Sequence, residues 1–300
     1  MSKCILIGAT GFLGRDLLSE LIKQEEEIHV VEHKEKINTS DHYKIIKGGI
    51  SALSTELINK LKPDLVFHCA RPVMPGLRWA GRKLAAQWAA RMNRSLIRSM
   101  QRCDLYPKLI FASGSLMYGN NPYPRDEESV LDPISFARQY AKGEKPLLET
   151  CNDKKFPVQI LRFPWLLGKG SWFGWFYLDS IRKHQAIPLF GDGQNKMHFL
   201  DVKDAAALMY RYAKQAKTPG LYNVYSDQLL TQAAFVEKVS KVFGVESKDH
   251  KQIFSHGIEK EALEAFHSNI ELSSVYTEIL ESFKYRSVEE NLKRIRDDSK

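Results

Sequence analysis

The chain has 300 residues, a formal net charge of +8, and 43% hydrophobic against 27% charged residues. That balance belongs to a globular protein with one or two cores and excludes a disordered or fibrous chain. No apolar run approaches the ~20 residues of a membrane-spanning helix, and an apolar strand already begins at Lys3, so neither a signal peptide nor a membrane span is expected. The four cysteines are scattered without a CxxC pair, which fits reduced thiols in a cytoplasmic protein.

Taken in order, Cys4-Ile5-Leu6-Ile7 reads as a strand buried on both faces, and Gly8, Gly11 and Gly14 follow at three-residue spacing. Leu17, Leu18, Leu21 and Ile22 then recur at helical spacing. Strand, glycine turn and helix form a cradle for a dinucleotide diphosphate, with unpaired helix N–H groups and a partial positive charge facing the phosphates. A second strand, Ile28–Val31, ends at Glu32, whose carboxylate can accept the hydroxyls of an adenosine ribose and so favours NAD. His33, Lys34 and Lys36 could shield an extra phosphate, which leaves NADP open. Strands at Tyr43–Ile46, Asp64–Ala70, Lys108–Ala112 and Val158–Phe163 alternate with helices, which specifies a doubly wound parallel α/β sheet. His68, inside an apolar strand, reads as a hydrogen-bonded core histidine.

Residues 71–102 contain no acid. Arg91, Arg94, Arg98 and Arg102 share one helix face, while Leu84, Trp88, Met92, Leu96 and Met100 run along another. The expected reading is a solvated basic face beside a core or homodimer stripe. Nucleic acid is not expected as a partner, because no recognisable nucleic-acid module accompanies the arginines. The aromatic run around Trp165, Trp172, Phe173, Trp175, Phe176 and Tyr177 suits either the wall of an apolar pocket or the core of a smaller lobe. Thr231 is expected to cap the helix that follows it, and Ser287 with Glu290 has capping-box spacing. No metal-ligand cluster is apparent.

The segments ILIGATGFLG, VVE, LVFHCAR, LIFASGSLMYG, ILRFPWLLGKG and LFGDGQNKMHFLDVKDAA stand in the order found in extended short-chain dehydrogenases/reductases, the NAD-dependent epimerase/dehydratase family, which the chain resembles over nearly its whole length. The resemblance implies a Rossmann domain over residues 1–164, with 188–220 returning to it. It places a substrate lobe at 165–187 and 221–300. It implies cofactor contacts from Gly8, Thr10, Gly11, Phe12, Leu13, Gly14, Glu32, Ala70, Ala112, Tyr140 and Phe163, and a small-molecule substrate carrying a hydroxyl or carbonyl.

In the family a tyrosine works as acid and base, a lysine four residues on supports it, and a Ser or Thr at the end of the fifth strand orients the substrate oxygen. Tyr140 matches the tyrosine, but Glu144 stands at the lysine position. Lys145, five residues along a regular helix, is ~140° off the tyrosine face, and a bulge at Pro146 would swing it back. An alignment anchored on Glu149 instead keeps Lys145 as the lysine and puts Ala141 at the tyrosine. Gly114 takes the Ser/Thr position, flanked by Ser113 and Ser115. Gly49 replaces the acid that meets the adenine amino group, and Met197 replaces an arginine that grips the substrate diphosphate. Two functions are therefore expected to compete: an atypical oxidoreductase or epimerase using Tyr140, Lys145 and Ser113 or Ser115, and a dinucleotide-binding sensor or assembly protein without turnover.

Overall fold

Short apolar runs bounded by glycine, proline and polar turns make the strands here, and amphipathic segments make the helices between them. The computed structural model describes residues 1–71, 78–153 and 156–299, with 78–80 described by backbone alone. The remainder of the acid-free stretch, 72–77, lies outside the described residues. In chain order the elements are β1 (Lys3–Ile7), α1 (Phe12–Lys23), β2 (Glu27–Glu32), β3 (Tyr43–Lys47), α2 (Thr55–Leu61), β4 (Leu65–His68), α3 (Arg78–Gln101), β5 (Lys108–Gly114), α4 (Ser135–Asp153) and β6 (Val158–Phe163). There follow β7 (Trp165–Leu167), α5 (Asp179–His184), β8 (Ala186–Leu189), β9 (Lys196–Asp201), α6 (Val202–Gln215), β10 (Gly220–Asn223), β11 (Leu229–Thr231), α7 (Gln232–Phe243), β12 (Glu246–Asp249), α8 (His250–Ile253), α9 (Lys260–His267), α10 (Glu278–Glu281) and α11 (Val288–Asp297).

The chain divides into two compact units. The first holds residues 1–113, 138–162 and 206–222. Its seven-stranded sheet runs β10-β6-β5-β4-β1-β2-β3, the doubly wound order whose direction reverses between β1 and β4. β1 pairs in parallel with β2 and β4, β2 with β3, and β4 with β5. Ile5, Ile7, Val66, Leu109, Val158 and Ile160 from the strands pack with Leu96, Ile97 and Met100 of α3 and Leu147 of α4. Only the second half of the apolar stripe on α3 is therefore core. Leu84 and Trp88, at its start, remain exposed, as do Arg91, Arg94 and Arg98 on the basic face.

The second unit holds 114–137, 163–205 and 223–300. This differs from the boundaries drawn from the sequence, which returned 188–205 to the first domain and left 114–137 there. The strands in these segments find partners elsewhere: β9 lies between β11 and β7, and β8 pairs with β12. The aromatic run builds this unit's core. Phe173 and Tyr177 are fully buried, Phe190 stacks on Phe266 at 4.1 Å, and Phe199 stacks on Phe235 at 4.3 Å, whereas Trp175 is exposed. Thr231 accepts from Ala234 N at the start of α7, and Ser287 and Glu290 complete a capping box on α11. Asp204 accepts from Arg286 N at 2.9 Å, and Asp201 pairs with Arg294, so both carboxylates tie the β9–α6 junction to the segment around α11.

Candidate functional site

The glycine turn is closed against its neighbours so tightly that no side chain fits at Gly8 or Gly14. Gly8 sits at φ +89°, and a Cβ there would lie 2.7 Å from Ala70 N. A Cβ on Gly14 would lie 1.9 Å from Gly8 O. Gly11 N donates to Gly8 O at 3.0 Å, and Gly11 is the N-cap of α1. This helix start carries no side-chain cap and no acid in its first turn. The first N–H groups of α1 are thus left for an outside acceptor, the condition a diphosphate requires. Thr10 and Phe12 are half-buried, while the Leu13 side chain packs into the core, so Leu13 can offer a ligand only its backbone. At the end of β2 one Glu32 oxygen accepts from Ile37 N at 2.8 Å and closes the following loop, and the Glu32 carbonyl accepts from Gly48 N and Gly49 N. The second carboxylate oxygen is the one available to a ribose.

His68 is a core residue, as its apolar strand implies. Ala70 N donates to its Nδ1 at 3.3 Å, so the proton is on Nε2, which donates to Asn93 Oδ1 at 3.0 Å. Burial pushes its pKa down to about 4. Asn93 Nδ2 in turn donates to Gly143 O at 2.9 Å, and a Cβ on Gly143 would lie 2.9 Å from Ala89 Cβ. These contacts set α4 closely on α3 and fix the turn that carries Glu144.

Glu144 points inward and is consumed there. Arg162, on β6 and 0% exposed, grips it with both terminal nitrogens: Nη2 to Oε1 at 2.6 Å and Nη1 to Oε2 at 3.0 Å. The Ser113 hydroxyl donates to Glu144 Oε2 and accepts from Arg162 Nη1 at 2.6 Å. A hydroxyl has one proton, and this one is spent on Glu144, so Ser113 cannot donate to a substrate oxygen. Ser115 is buried in the short helical turn Ser115–Tyr118. α4 passes through Pro146 as one continuous helix, without the bulge expected there. Lys145 therefore stays on the outer face, 72% exposed and 3.8 Å from Glu149. Among the described residues a π-helical turn occurs instead at Gly174–Leu178.

Tyr140, one turn before Glu144, is half-buried, with the Arg71 guanidinium 4.4 Å above its ring. Ala112 precedes Ser113 on β5, and Phe163 ends β6 with its ring buried. In the second unit Met197 is buried, and the neighbouring Lys196 is paired with Glu271 at 2.9 Å. Sequence reasoning gave no role to Arg162 or Arg71. An arginine inside the apolar strand Val158–Phe163 is itself a signal, because a buried guanidinium requires an acid. Nothing local marks Arg71.

The description "NAD dependent epimerase/dehydratase family" matches residues 4–224. The uncharacterized UDP-glucose epimerase YtcB of Bacillus subtilis (strain 168) is 25% identical over 223 residues, covering 67% of this chain and 69% of that protein. Among solved structures, the UDP-N-acetylglucosamine 4-epimerase of Methanobrevibacter ruminantium M1, in complex with UDP-N-acetylmuramic acid, superposes with a TM-score of 0.77 at 19% identity, covering 100% of this chain and 99% of that one. The UDP-glucuronic acid 4-epimerase of Bacillus cereus, in complex with UDP-glucuronic acid and NAD, gives 0.74 at 17% identity over 98% of both chains. The glycine turn, the strand order and the matched segment agree: the chain belongs to the NAD-dependent epimerase/dehydratase family.

Proposed function

We propose that the protein binds NAD across the α1 end of the sheet and catalyses an oxidoreductase or epimerase reaction on a hydroxyl or carbonyl of a small molecule. The observation that carries this reading is the uncapped start of α1 behind a turn where no side chain fits at Gly8 or Gly14. Tyr140 is the acid and base. Arg71, on its ring, provides the cation on this side of α4, in place of Lys145. Sugar nucleotides, the substrates named for the relatives, are the first class to try, although Met197 and the paired Lys196 leave the substrate diphosphate a different grip. The same proposal includes a cytoplasmic protein acting as a homodimer, which sedimentation velocity tests.

A second reading has its own observation. Ser113, Glu144 and Arg162 are paired with one another, and this favours a dinucleotide-binding sensor or assembly protein without turnover. One experiment separates the two. NADH and NADPH are titrated by fluorescence, and UDP-glucose, UDP-glucuronate and UDP-N-acetylglucosamine are then incubated with NAD-loaded protein and analysed for epimerised or oxidised product. The enzyme reading expects NADH binding and a product whose rate falls about 10²–10⁴-fold in Tyr140→Phe. Tight NADH binding with no product across that panel and a broad set of simple carbonyls and alcohols favours the sensor.

A further inference from the structure

One residue past Glu32 the first unit carries a hollow of about 430 Å³ lined by His33, Lys34, Leu84, Gln87, Trp88 and Arg91. It contains Leu84 and Trp88, two large apolar side chains of α3 that the core leaves uncovered, Trp88 being 39% exposed. Its place in the sheet is informative. In a doubly wound sheet the diphosphate sits at the β1 turn and the adenosine lies across the end of β2, so the base emerges just beyond the acid that holds the ribose. Here that point is His33.

The neighbouring position 49 cannot supply an acceptor for the base. Gly49 is at φ +68°, where side chains are strained, and a Cβ there would lie 2.7 Å from His33 Cδ2. The place of an adenine-binding acid is therefore filled by an imidazole ring, whose centroid is 5.9 Å from that of Trp88. An edge acceptor has been exchanged for aromatic surface, with Lys34 and Arg91 as cations at the rim.

We propose that the adenine of the dinucleotide stacks against Trp88 in this hollow, with His33 at its edge, and that the base is read by its face and not by its exocyclic amino group. Stacking is indifferent to that group, because every base has a π-face. The proposal rests on the NAD reading above and adds a specificity: hypoxanthine is accepted as readily as adenine.

The test is fluorescence titration of wild-type protein, Trp88→Ala and Trp88→Phe with NADH, deamino-NADH and reduced nicotinamide mononucleotide, which lacks the base. Wild-type protein is expected to bind NADH and deamino-NADH within about threefold of one another, since no hydrogen bond to the amino group is lost. Trp88→Ala weakens both about tenfold, the size of one base–aromatic stack, and Trp88→Phe retains most of the affinity. The mononucleotide binds all three proteins alike. Deamino-NADH binding about tenfold more weakly than NADH would overturn the proposal, as would unchanged NADH affinity in Trp88→Ala. Loss of mononucleotide binding in Trp88→Ala would reveal a structural defect and would equally overturn it. Wild-type protein that binds none of the three probes would overturn the NAD reading itself, and this proposal with it.

Discussion

Two polar places in the first unit, the start of α1 and the β5–α4–β6 cluster, are built on opposite principles. At α1 no side chain among the described residues caps the first donors: the helix begins on Gly11, whereas α2, α7 and α11 are each capped by a serine or threonine. In the cluster every charge has an internal partner, Glu144 held by both terminal nitrogens of Arg162 and by Ser113. Open donors cost stability and create a binding site. A closed ion pair holds three elements in register and leaves a ligand nothing to grip. The first arrangement leaves donors for a ligand, and the second spends its charges inside the fold.

The contrast is broken most severely by Glu144→Lys, which puts a lysine four residues after Tyr140. It sets an ammonium against a fully buried guanidinium, and removing one partner of a buried pair costs about 3–5 kcal/mol before any repulsion is added. Urea denaturation is expected to show a protein at or beyond the edge of folding. Arg162→Met alone should lose a similar amount. Glu144→Leu with Arg162→Met should recover much of it, because an apolar pair of similar volume is often neutral, and the non-additivity should be at least about 2 kcal/mol. A Glu144→Lys protein of wild-type stability would show that the pair does not hold these elements.

At the open place the corresponding change is Gly14→Ala. Its methyl would stand 1.9 Å from Gly8 O, a backbone atom that cannot swing away, so a loss of about 1–3 kcal/mol and of NADH binding is expected from thermal melts and titration. Gly11→Ala meets the same Gly8 O at 3.2 Å, a tight contact relieved by a shift of a few tenths of an ångström, and should cost clearly less than Gly14→Ala. Equal effects at the two positions would mean that the turn is not closed as described.

The open place was legible in the sequence and the closed one was not, for a physical reason. Strand, glycine spacing and helix periodicity around Gly8–Gly14 are all local, and the capping signals at Thr231 and Ser287 are local too. Glu144 and Arg162 lie on different elements, eighteen residues apart in sequence, and only the packing of α4 over β6 joins them. The substitution at 144 was visible, but its resolution was not. A bulge at Pro146 was a reasonable rescue for Lys145, yet with Glu144 already satisfied by Arg162 nothing pulls the helix out of register. Periodicity along α3 identified one apolar stripe without saying where the core ends, so Leu84 and Trp88 came out exposed.

Acid extends the contrast to the second unit. His68 and His198 are both buried, and burial pushes each down to about 4. The folded value lies below the unfolded value of about 6.5, so the unfolded chain takes up protons first. Stability falls as pH drops below about 6.5 and levels off near 4, with a loss of about 2 kcal/mol from each histidine at pH 5. His68 accepts from Ala70 N, and Ala70 N abuts Gly8, so protonating its Nδ1 disturbs the segment that closes the turn. His198 accepts from Leu272 N inside the second unit. Asn or Gln at either position should flatten the fall in melting temperature between pH 7 and 5, and only His68 substitutions should also alter the pH dependence of NADH affinity.

The smallest expected effect on stability gives the sharpest reading of the chemistry. Gly114 is the position at which the resemblance to the family leads one to expect a Ser or Thr, yet nothing in its described surroundings demands glycine. Its backbone is extended at φ −136°, and an added Cβ would meet only Phe163 O at 3.9 Å, an ordinary contact. Gly114→Ser is therefore expected to change stability by less than about 0.5 kcal/mol. Unlike Ser113, whose proton is given to Glu144, a hydroxyl at 114 has no such prior claim and could donate to a substrate oxygen. If Tyr140 performs proton transfer on a hydroxyl or carbonyl, the added donor should raise the rate of product formation by about tenfold, the worth of one ordinary hydrogen bond made in the transition state. If Gly114→Ser folds like wild type, binds NADH like wild type and still leaves product formation unchanged, then no reacting oxygen passes this position.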